Sequence, residues 1–338
     1  MLSTRGKNVL NFIVSDYINE SNPVASSSIV SRHKLGVSSS TIRNEVADLE
    51  NYGYITRPYS SAGSIPLQKG YRAYVETIKK SRLPVKLRTN VYKQLLRAER
   101  YVEDWTEVAA TLLAGLVGNM AIVSFPKSRE ARVKHLELVP VQKLSALLII
   151  VFDQYKLKRR IIRFKQPVTQ RTLDLSVNRL RQLVVGLSGK EVESKIVGLP
   201  RFERELAFVT SEILKEEDRA TDREHYLDGL RNLLAQPEFA TSEKMSAVVG
   251  GVEDGSFAKA ILDETPESGG VKVIIGRENR SDALWPFGLV LAHYGTPAGV
   301  TGTVGTIGPM RMKYDVTIAG VELMVGVMSG LVDDNHRT

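Results

Sequence analysis

Residues 38–75 have the sequence SSSTIRNEVADLENYGYITRPYSSAGSIPLQKGYRAYV. The hydroxyl side chains of 38–41 can cap the start of a helix, and Gly53 can end that helix just past Tyr52. Two short apolar stretches, 54–58 and 64–67, flank a loop of serine and glycine, which is typical of a β-hairpin. This stretch therefore predicts a helix that is followed directly by a hairpin.

Two further helices are predicted upstream of this stretch. Residues 5–20 place their apolar side chains on one face, and residues 26–33 form a short helix that begins at serines. Three helices and a hairpin in this order are the pattern of a winged helix-turn-helix domain that binds DNA. Small helical domains with a hairpin also serve as protein-interaction modules, so that class stays open as an alternative.

The third helix has two distinct faces. Three apolar residues share the face that is expected to pack inward: Ile42, Val46 and Leu49. The opposite face, the reading face, has no carboxylate and consists of Ser40, Asn44, Ala47 and Asn51, with Arg43 beside them. In a major groove, Asn can bond adenine and Arg can bond guanine through paired hydrogen bonds. The reading face therefore suits direct contact with bases.

The positive charge of the chain is concentrated near its N-terminus. The 338 residues carry a formal net charge of +8. Residues 1–90 hold thirteen Lys or Arg against six Asp or Glu, so this first quarter carries nearly all of the excess. A localised positive excess is what a domain that binds a polyanion such as DNA requires.

The sequence predicts two groups of DNA contacts. Ser40, Arg43 and Asn44 would contact bases in the major groove. Phosphates would be held by hydroxyls and free amides at the helix start, by flanking basic side chains and by the hairpin tip. This second group consists of Lys34, Ser38, Ser39, Thr41, Arg57, Tyr59, Ser60 and Ser61.

Downstream of residue 90, helical and strand-like segments alternate. Helices are predicted at 90–117, 169–187, 203–217, 223–235 and near 318–331. Strands are predicted at 119–125, 133–141, 144–152, 157–164, 271–275, 287–294 and 301–307. Strands on both sides of a charged helical segment predict a β-containing domain that is interrupted by a helical insertion.

Three segments of the chain also resemble a known family. Residues 38–75, the segment 275–279 (IGREN) and the segment 305–314 (GTIGPMRMKY) closely resemble signatures of the heat-inducible transcription repressor family HrcA, in the right order. At the hairpin the family carries His, Thr and Arg where this chain has Tyr59, Ser60 and Ser64. The hairpin tip therefore lacks a cation that the family signature has.

The resemblance implies an α+β multidomain protein. Its expected parts are an N-terminal winged helix-turn-helix domain at 1–82, a discontinuous GAF-like α/β domain at 90–165 and 240–338, and an inserted, mainly helical dimerisation domain at 166–239. The implied function is repression of heat-shock chaperone operons by a homodimer on double-stranded DNA, at an inverted-repeat operator called the CIRCE element. The implied control is by heat and by the availability of the chaperonin. A winged-helix regulator that senses a small molecule through its GAF-like domain is the alternative.

Several other classes of protein are disfavoured by composition. The chain has no cysteine, which excludes disulfides, thiolate metal sites and a cysteine nucleophile. Its five histidines are scattered, and no set of acid, base and nucleophile is visible, so we expect no metal site, no cofactor and no enzyme activity. The N-terminus lacks the pattern of a signal peptide and no uninterrupted apolar run is long enough to cross a membrane. We therefore expect a soluble cytoplasmic protein without a membrane partner.

Overall fold

The structure is a computed structural model that describes residues 2–33, 38–59, 62–78, 83–98, 102–128, 130–152, 157–219, 224–266, 269–296 and 300–337. The chain forms two compact units. Unit 1 comprises Met1–Phe125, Glu224–Gly295 and Gly302–Thr338, and unit 2 comprises Pro126–Arg223 and Thr296–Thr301. Unit 2 is therefore an insertion in the chain of unit 1.

The helices and strands follow one another in a mixed order. The helices are α1 Thr4–Glu20, α2 Ser26–His33, α3 Ser39–Asn51, α4 Gln68–Val75, α5 Val85–Arg97, α6 Val102–Val117, α7 Gln170–Val184, α8 Gly189–Ser194, α9 Arg201–Arg219, α10 Leu230–Leu234, α11 Ser242–Glu253, α12 Ser256–Asp263 and α13 Tyr314–Arg337. The strands are β1 Ile55–Thr56, β2 Ile65–Pro66, β3 Met120–Ser124, β4 Lys127–Ser128, β5 Val133–Gln142, β6 Ser145–Phe152, β7 Leu157–Arg163, β8 His225–Asp228, β9 Lys272–Ile275, β10 Phe287–Gly295 and β11 Val300–Pro309. This mixture confirms an α+β chain of more than one part.

The N-terminal head, residues 2–78, is built from α1 to α4 and the hairpin β1–β2. Helices α1, α2 and α3 pack on one another, and their apolar faces form a core that excludes water. The antiparallel hairpin pairs Ile55 with Pro66, and an isolated bridge joins Val24 to Ser64. The segment between α1 and α2 therefore adds a third extended strand beside the hairpin.

The central sheet of unit 1 has the strand order β8-β3-β11-β10-β9. One face of β10 packs on α6 and α13, where the rings of Trp105 and Tyr294 meet edge to face at 6.0 Å. The other face joins Leu289 and Leu291 to a buried cluster that includes Phe257 and Ile261 of α12. Helices on both faces explain why β10 is an almost continuous apolar run.

The glycines of β11 are explained by close packing. A Cβ at Gly302 would lie 2.3 Å from the ring of Tyr294, and a Cβ at Gly305 would lie 2.3 Å from the side chain of Leu291. A Cβ at Gly308 would lie 2.5 Å from Asn119. Glycine recurs at every third residue from 302 to 308, and each of these positions is one where a neighbouring side chain leaves no room for a Cβ.

Unit 2 contains an antiparallel sheet of strand order β5-β6-β7. Helices α7, α8 and α9 join one face of this sheet in a buried apolar cluster. The opposite face, the open sheet face, carries exposed apolar side chains: Val139, Leu157 and Ile161. No other described element of unit 2 is part of a core cluster on that face.

The boundaries of the insertion differ from the prediction of 166–239. The strands at 133–163 were assigned to the discontinuous domain, but their buried residues pack with the helices at 170–219 instead. Residues 225–228, expected within a helix, form β8 and pair with β3 of the central sheet. The insertion therefore begins near 126 and ends near 223.

Two other expectations need correction. Residues 90–117 contribute to two helices, α5 and α6, where one long helix was predicted. Helices α11 and α12 were not predicted, since 242–253 contains two adjacent glycines and has a weak apolar periodicity. Both helices nevertheless form. Helix α12 buries Phe257 and Ile261 against the sheet, and α11 adds Val248 to the same cluster.

Helix α13 is unusually apolar. Among the helices of the described residues, α13 alone has a stretch, Tyr314–Asp333, that is long and apolar enough to cross a membrane. Of that stretch, 44% is buried inside the protein. It packs on β10. A core helix meets the same length and composition criteria, so these criteria alone do not indicate a membrane span.

Candidate nucleic-acid interface

Helix α3 divides its side chains between a buried and an exposed face as the sequence predicts. Ile42, Val46 and Leu49 are buried against the rest of the N-terminal head. On the reading face, Ser40, Arg43, Asn44 and Asn51 are exposed and Ala47 is half-buried. Within the described residues, the side chains of Arg43 and Asn44 form no hydrogen bond or ion pair that would hold them against the protein. Their donors and acceptors are thus available to a ligand.

Hydroxyl groups cluster at the start of α3. Ser38 caps the helix, because its Oγ accepts a hydrogen bond from the Thr41 amide at 3.3 Å. The same Oγ lies 2.8 Å from Ser40 Oγ and 2.9 Å from Thr41 Oγ1. Ser38, Ser39 and Ser40 are exposed. Exposed hydroxyls beside the free amides of a helix start can bind phosphate oxygens.

Two of the three carboxylates of α3 have partners inside the N-terminal head. Glu45 accepts a hydrogen bond from Ser3 Oγ at 3.3 Å and lies 3.9 Å from Arg5. Glu50 accepts from the Arg57 guanidinium, through Nε at 2.9 Å, and from the Arg57 backbone amide at 3.1 Å. The hydrogen bond from Arg57 lowers the pKa of Glu50 from its usual value. These two acids are thereby held by the head, whereas the third, Asp48, is exposed one turn after Asn44.

Arg57 is therefore placed differently from a free phosphate-binding cation. Its guanidinium donates through Nε and Nη2 to Glu50. An arginine has five N–H donors, so the pair leaves donors for a second partner. Arg57 can still reach a phosphate, but only in the orientation that Glu50 imposes.

The hairpin tip is only partly described. Tyr59 lies at its edge and is 68% exposed. The predicted contacts Lys34, Ser60 and Ser61 lie outside the described residues. The structure therefore groups Ser38–Thr41, Arg43 and Asn44 on one helix, with Arg57 and Tyr59 in the adjoining hairpin.

Helix α4 carries residues that the sequence analysis did not assign to any role. Lys69 donates to the carbonyl oxygen of Tyr52 at 2.8 Å and lies over the ring of Tyr54, 4.3 Å from its centre. Arg72 forms an ion pair with Glu278 of the central part of unit 1. The only signal in the sequence was that Tyr71 and Arg72 belong to a segment that resembles the family signature.

Other kinds of site are poorly supported. The described residues contain no group of three or more His, Asp or Glu that could hold a metal ion. An open groove of about 440 Å³ lies between α5 and α13, with Arg88 and Glu322 as its charged groups. Its lining is otherwise apolar and does not specify a ligand.

A family model and curated relatives point to the same family. Residues 103–318 match a family model described as the HrcA protein C terminal domain. A heat-inducible transcription repressor HrcA from Dehalococcoides mccartyi is 36% identical over 98% of this chain and 96% of its own. A protein of the same name from Herpetosiphon aurantiacus is 31% identical, also over 98% of this chain and 96% of its own.

A solved structure supports the fold. A crystal structure described as that of a hypothetical protein is 25% identical to this chain, covers 99% of it and 100% of its own chain, and superposes with a TM-score of 0.65. The family model spans well over half of the chain, and the Dehalococcoides relative is similar over nearly its whole length. The chain therefore belongs to the HrcA family.

Proposed function

We propose that this protein is a sequence-specific DNA-binding repressor of heat-shock chaperone operons. The observation that carries the proposal is the reading face of α3, on which Arg43 and Asn44 are exposed and have no partner among the described residues. The capped serine cluster lies at the start of the same helix. The names of the relatives, heat-inducible transcription repressors, support repression in the heat response.

The topology of the N-terminal head favours a winged-helix domain. Three helices are followed by a hairpin, and the Val24–Ser64 bridge adds an extended segment between α1 and α2 to that hairpin. In such a domain the third helix enters the major groove and the hairpin lies beside it on the DNA backbone. Tyr59 at the hairpin would contact the backbone through its hydroxyl, since the tip lacks the cation of the family signature.

A homodimer would let two reading helices bind the two halves of an inverted-repeat operator. The open sheet face of unit 2 supports this part of the proposal, because three large apolar side chains are exposed there: Val139, Leu157 and Ile161. Val139 and Ile161 flank Leu147, and Leu157 lies beside Val151, whereas Ile149 lies between Glu137 and Arg159 on the same face. Pairing of two such faces would remove these exposed apolar side chains from water.

Control by heat is proposed to act through folding. The free energy of unfolding of a domain is only about 5–15 kcal/mol, so warming can reduce the folded population of a repressor. Chaperonin that is free to act would restore that population. We also propose that the central part of unit 1 is the GAF-like domain of the family and that the protein acts in the cytoplasm.

Titration with DNA tests the proposal. The protein is mixed with a fluorescent duplex from upstream of a chaperone operon and, separately, with a duplex of the same composition in which both half-sites are shuffled. We expect tight binding to the first duplex only, and an affinity that falls with salt by about 0.9 log units per log unit for each phosphate contacted. Equal affinity for the two duplexes, or a flat response to salt, would contradict the proposal.

A further inference from the structure

Helix α4 packs closely on the segment that follows α3. Gly70 passes so close to the carbonyl oxygen of Tyr54 that a Cβ there would lie 2.3 Å from it. Lys69 donates to the carbonyl oxygen of Tyr52, the residue that follows α3. The position of α4 is therefore set relative to the segment that leaves α3.

The other side of α4 is bonded to the turn that follows β9. Arg72 donates from Nε to Glu278 Oε1 at 2.9 Å and from Nη2 to the carbonyl oxygen of Val273 at 2.8 Å. One turn earlier on α4, Gln68 Oε1 accepts a hydrogen bond from the Arg277 amide at 2.9 Å. These contacts between Gln68, Arg72, Arg277 and Glu278 form the α4 latch.

The turn after β9 is shaped to receive α4. Glu278 Oε2 also accepts a hydrogen bond from the Ile275 amide at 2.9 Å, so the carboxylate is held in place before Arg72 binds it. Gly276 has a φ of +59°, and a Cβ there would lie 2.7 Å from Gln68 Oε1. A side chain at this position would be strained and would push Gln68 away. The backbone of the turn therefore fits the side chain of Gln68, and its carboxylate is held ready for Arg72.

A buried contact accompanies the latch. Tyr71 of α4 is 2% exposed. Burial raises the pKa of Tyr71, and its neighbours Tyr17 and Tyr314 raise it further. Arg311, which is close to Tyr17 and Tyr71, is bonded to Glu238 through Nε. Buried Tyr71 of α4 therefore lies near groups of α1 and of the start of α13.

The segments that carry the family resemblance meet at this surface. Gly70, Tyr71 and Arg72 come from the first segment, Gly276 and Glu278 come from the second, and Arg311 and Tyr314 come from the third. These residues are far apart in the sequence, and none of them lies on the reading face. Their contacts dock α4 on the central part of unit 1.

We propose that Arg72 and Glu278 are positioning residues that fix the orientation of the reading helix on the body of unit 1. This inference rests on the proposed DNA-binding function. In a dimer on an inverted repeat, the second half-site is bound intramolecularly, and its effective concentration depends on how well the two reading helices are held at the right separation. The latch supplies that rigidity from the side of the head that carries no DNA contact.

Two variants test the role of the latch in DNA binding. Arg72→Gln removes the charge and keeps most of the packing, while Gln68→Ala removes the second contact and leaves the ion pair intact. Arg201→Gln is the matched control, because Arg201 forms an exposed ion pair with Glu205 in unit 2. Each is titrated with DNA that has both half-sites, with DNA that has one half-site, and with a series in which the half-site spacing varies.

We expect each latch variant to lose on the order of tenfold in affinity for the two-site duplex. Affinity for the one-site duplex should stay at the wild-type value, and the preference for one spacing should broaden. The control should match the wild type on all three. The inference would be overturned if the latch variants had the same affinity as the control for the two-site duplex. Tighter binding by the latch variants would also overturn it, because the docked head would then inhibit binding.

A measurement without DNA separates this inference from the proposed function. Hydrogen exchange of the segment 273–279 reports the Arg277 amide that Gln68 holds and the Ile275 amide that Glu278 holds. We expect faster exchange there in both latch variants and not in Arg201→Gln. Unchanged exchange would show that the latch does not hold in solution. If wild-type protein binds neither duplex, the proposed function fails, while the exchange result still decides whether α4 is docked.

Discussion

Replacing Arg43 by alanine tests the reading face most sharply. Arg43 is exposed on α3 and, within the described residues, has no hydrogen bond or ion pair to lose. Alanine is also a good helix former, so the free energy of unfolding should change by less than about 0.5 kcal/mol. The free protein should therefore unfold at nearly the wild-type temperature.

The effect on DNA binding should be large. A bidentate arginine–guanine contact is worth about 1–3 kcal/mol, and a dimer loses two of them, or about 2–6 kcal/mol if the losses add. Since about 1.4 kcal/mol changes an equilibrium constant tenfold, the affinity for the operator should fall between about 30-fold and about 10⁴-fold. Arg43→Lys keeps the charge without the planar fork and should recover only part of this loss.

Fluorescence anisotropy with a labelled operator measures these losses, and Arg201→Ala in unit 2 is the control. The decisive comparison uses operators that carry a single symmetric base change in each half-site. Arg43→Ala should be indifferent to the change at the position that Arg43 contacts, and should remain as sensitive as the wild type to changes elsewhere. An unchanged affinity would remove Arg43 from the reading face. A loss equal for all sequences and fully recovered by Arg43→Lys would make it a phosphate contact.

Three further predictions concern stability and assembly. Arg57 lowers the pKa of Glu50 in the folded protein, so the pair stabilises the head above the usual glutamate pKa, and that contribution is lost as the pH falls through the lowered value. In urea titrations, Glu50→Gln should therefore lose less stability between neutral and acid pH than the wild type. An identical loss would contradict this pairing. Gly305→Ala places a Cβ 2.3 Å from Leu291 and should lower the free energy of unfolding by about 1–3 kcal/mol. Gly115→Ala in α6, where a Cβ would meet nothing within 4 Å, should not destabilise the protein. Equal unfolding free energies of the two variants in calorimetry would contradict the close packing of β11. Ile161→Asp on the open sheet face should give a monomer in sedimentation experiments. The control Val197→Asp changes a side chain that is 91% exposed outside that sheet, and this variant should remain a dimer. A dimer that survives Ile161→Asp would exclude the open sheet face as the dimer interface.

The N-terminal head was the part most open to prediction from sequence. Its helices are short, amphipathic and bounded by serine caps and glycine, so local signals agree with the fold at nearly every position. The bounds of α1 and α2 agree with the expected ranges to within one residue. The division of α3 into Ile42, Val46 and Leu49 against Arg43 and Asn44 follows from the helical period alone.

The division into two units could not be predicted, because it depends on which strands pair. The strands β5 and β7 alternate with charged residues while β10 is almost continuously apolar, but such patterns do not say which strands pair in one sheet. Likewise, β8 has only four residues beside charged helices, and it becomes a strand because β3 offers an unpaired edge. Pairing over such sequence distances is set by the tertiary structure.

Partners of charged side chains were equally hidden from the sequence. Arg57 was expected to bind phosphate, but Glu50, the last residue but one of α3, forms an ion pair with it. Arg72 and Glu278 are separated by 206 residues, and neither residue type in isolation suggests an ion pair. Such pairs follow from the docking of elements and become visible only in three dimensions.

Footprinting tests the central claim, sequence-specific DNA binding by two reading helices, most directly. DNA from upstream of chaperone operons is treated with hydroxyl radicals in the presence of the protein, with and without chaperonin. We expect two protected patches of identical sequence in inverted orientation, with their centres separated by a whole number of turns of about 34 Å each. The protection should be stronger when chaperonin is present. Uniform protection of the DNA, or no protection even at the highest protein concentration, would contradict sequence-specific binding by two reading helices.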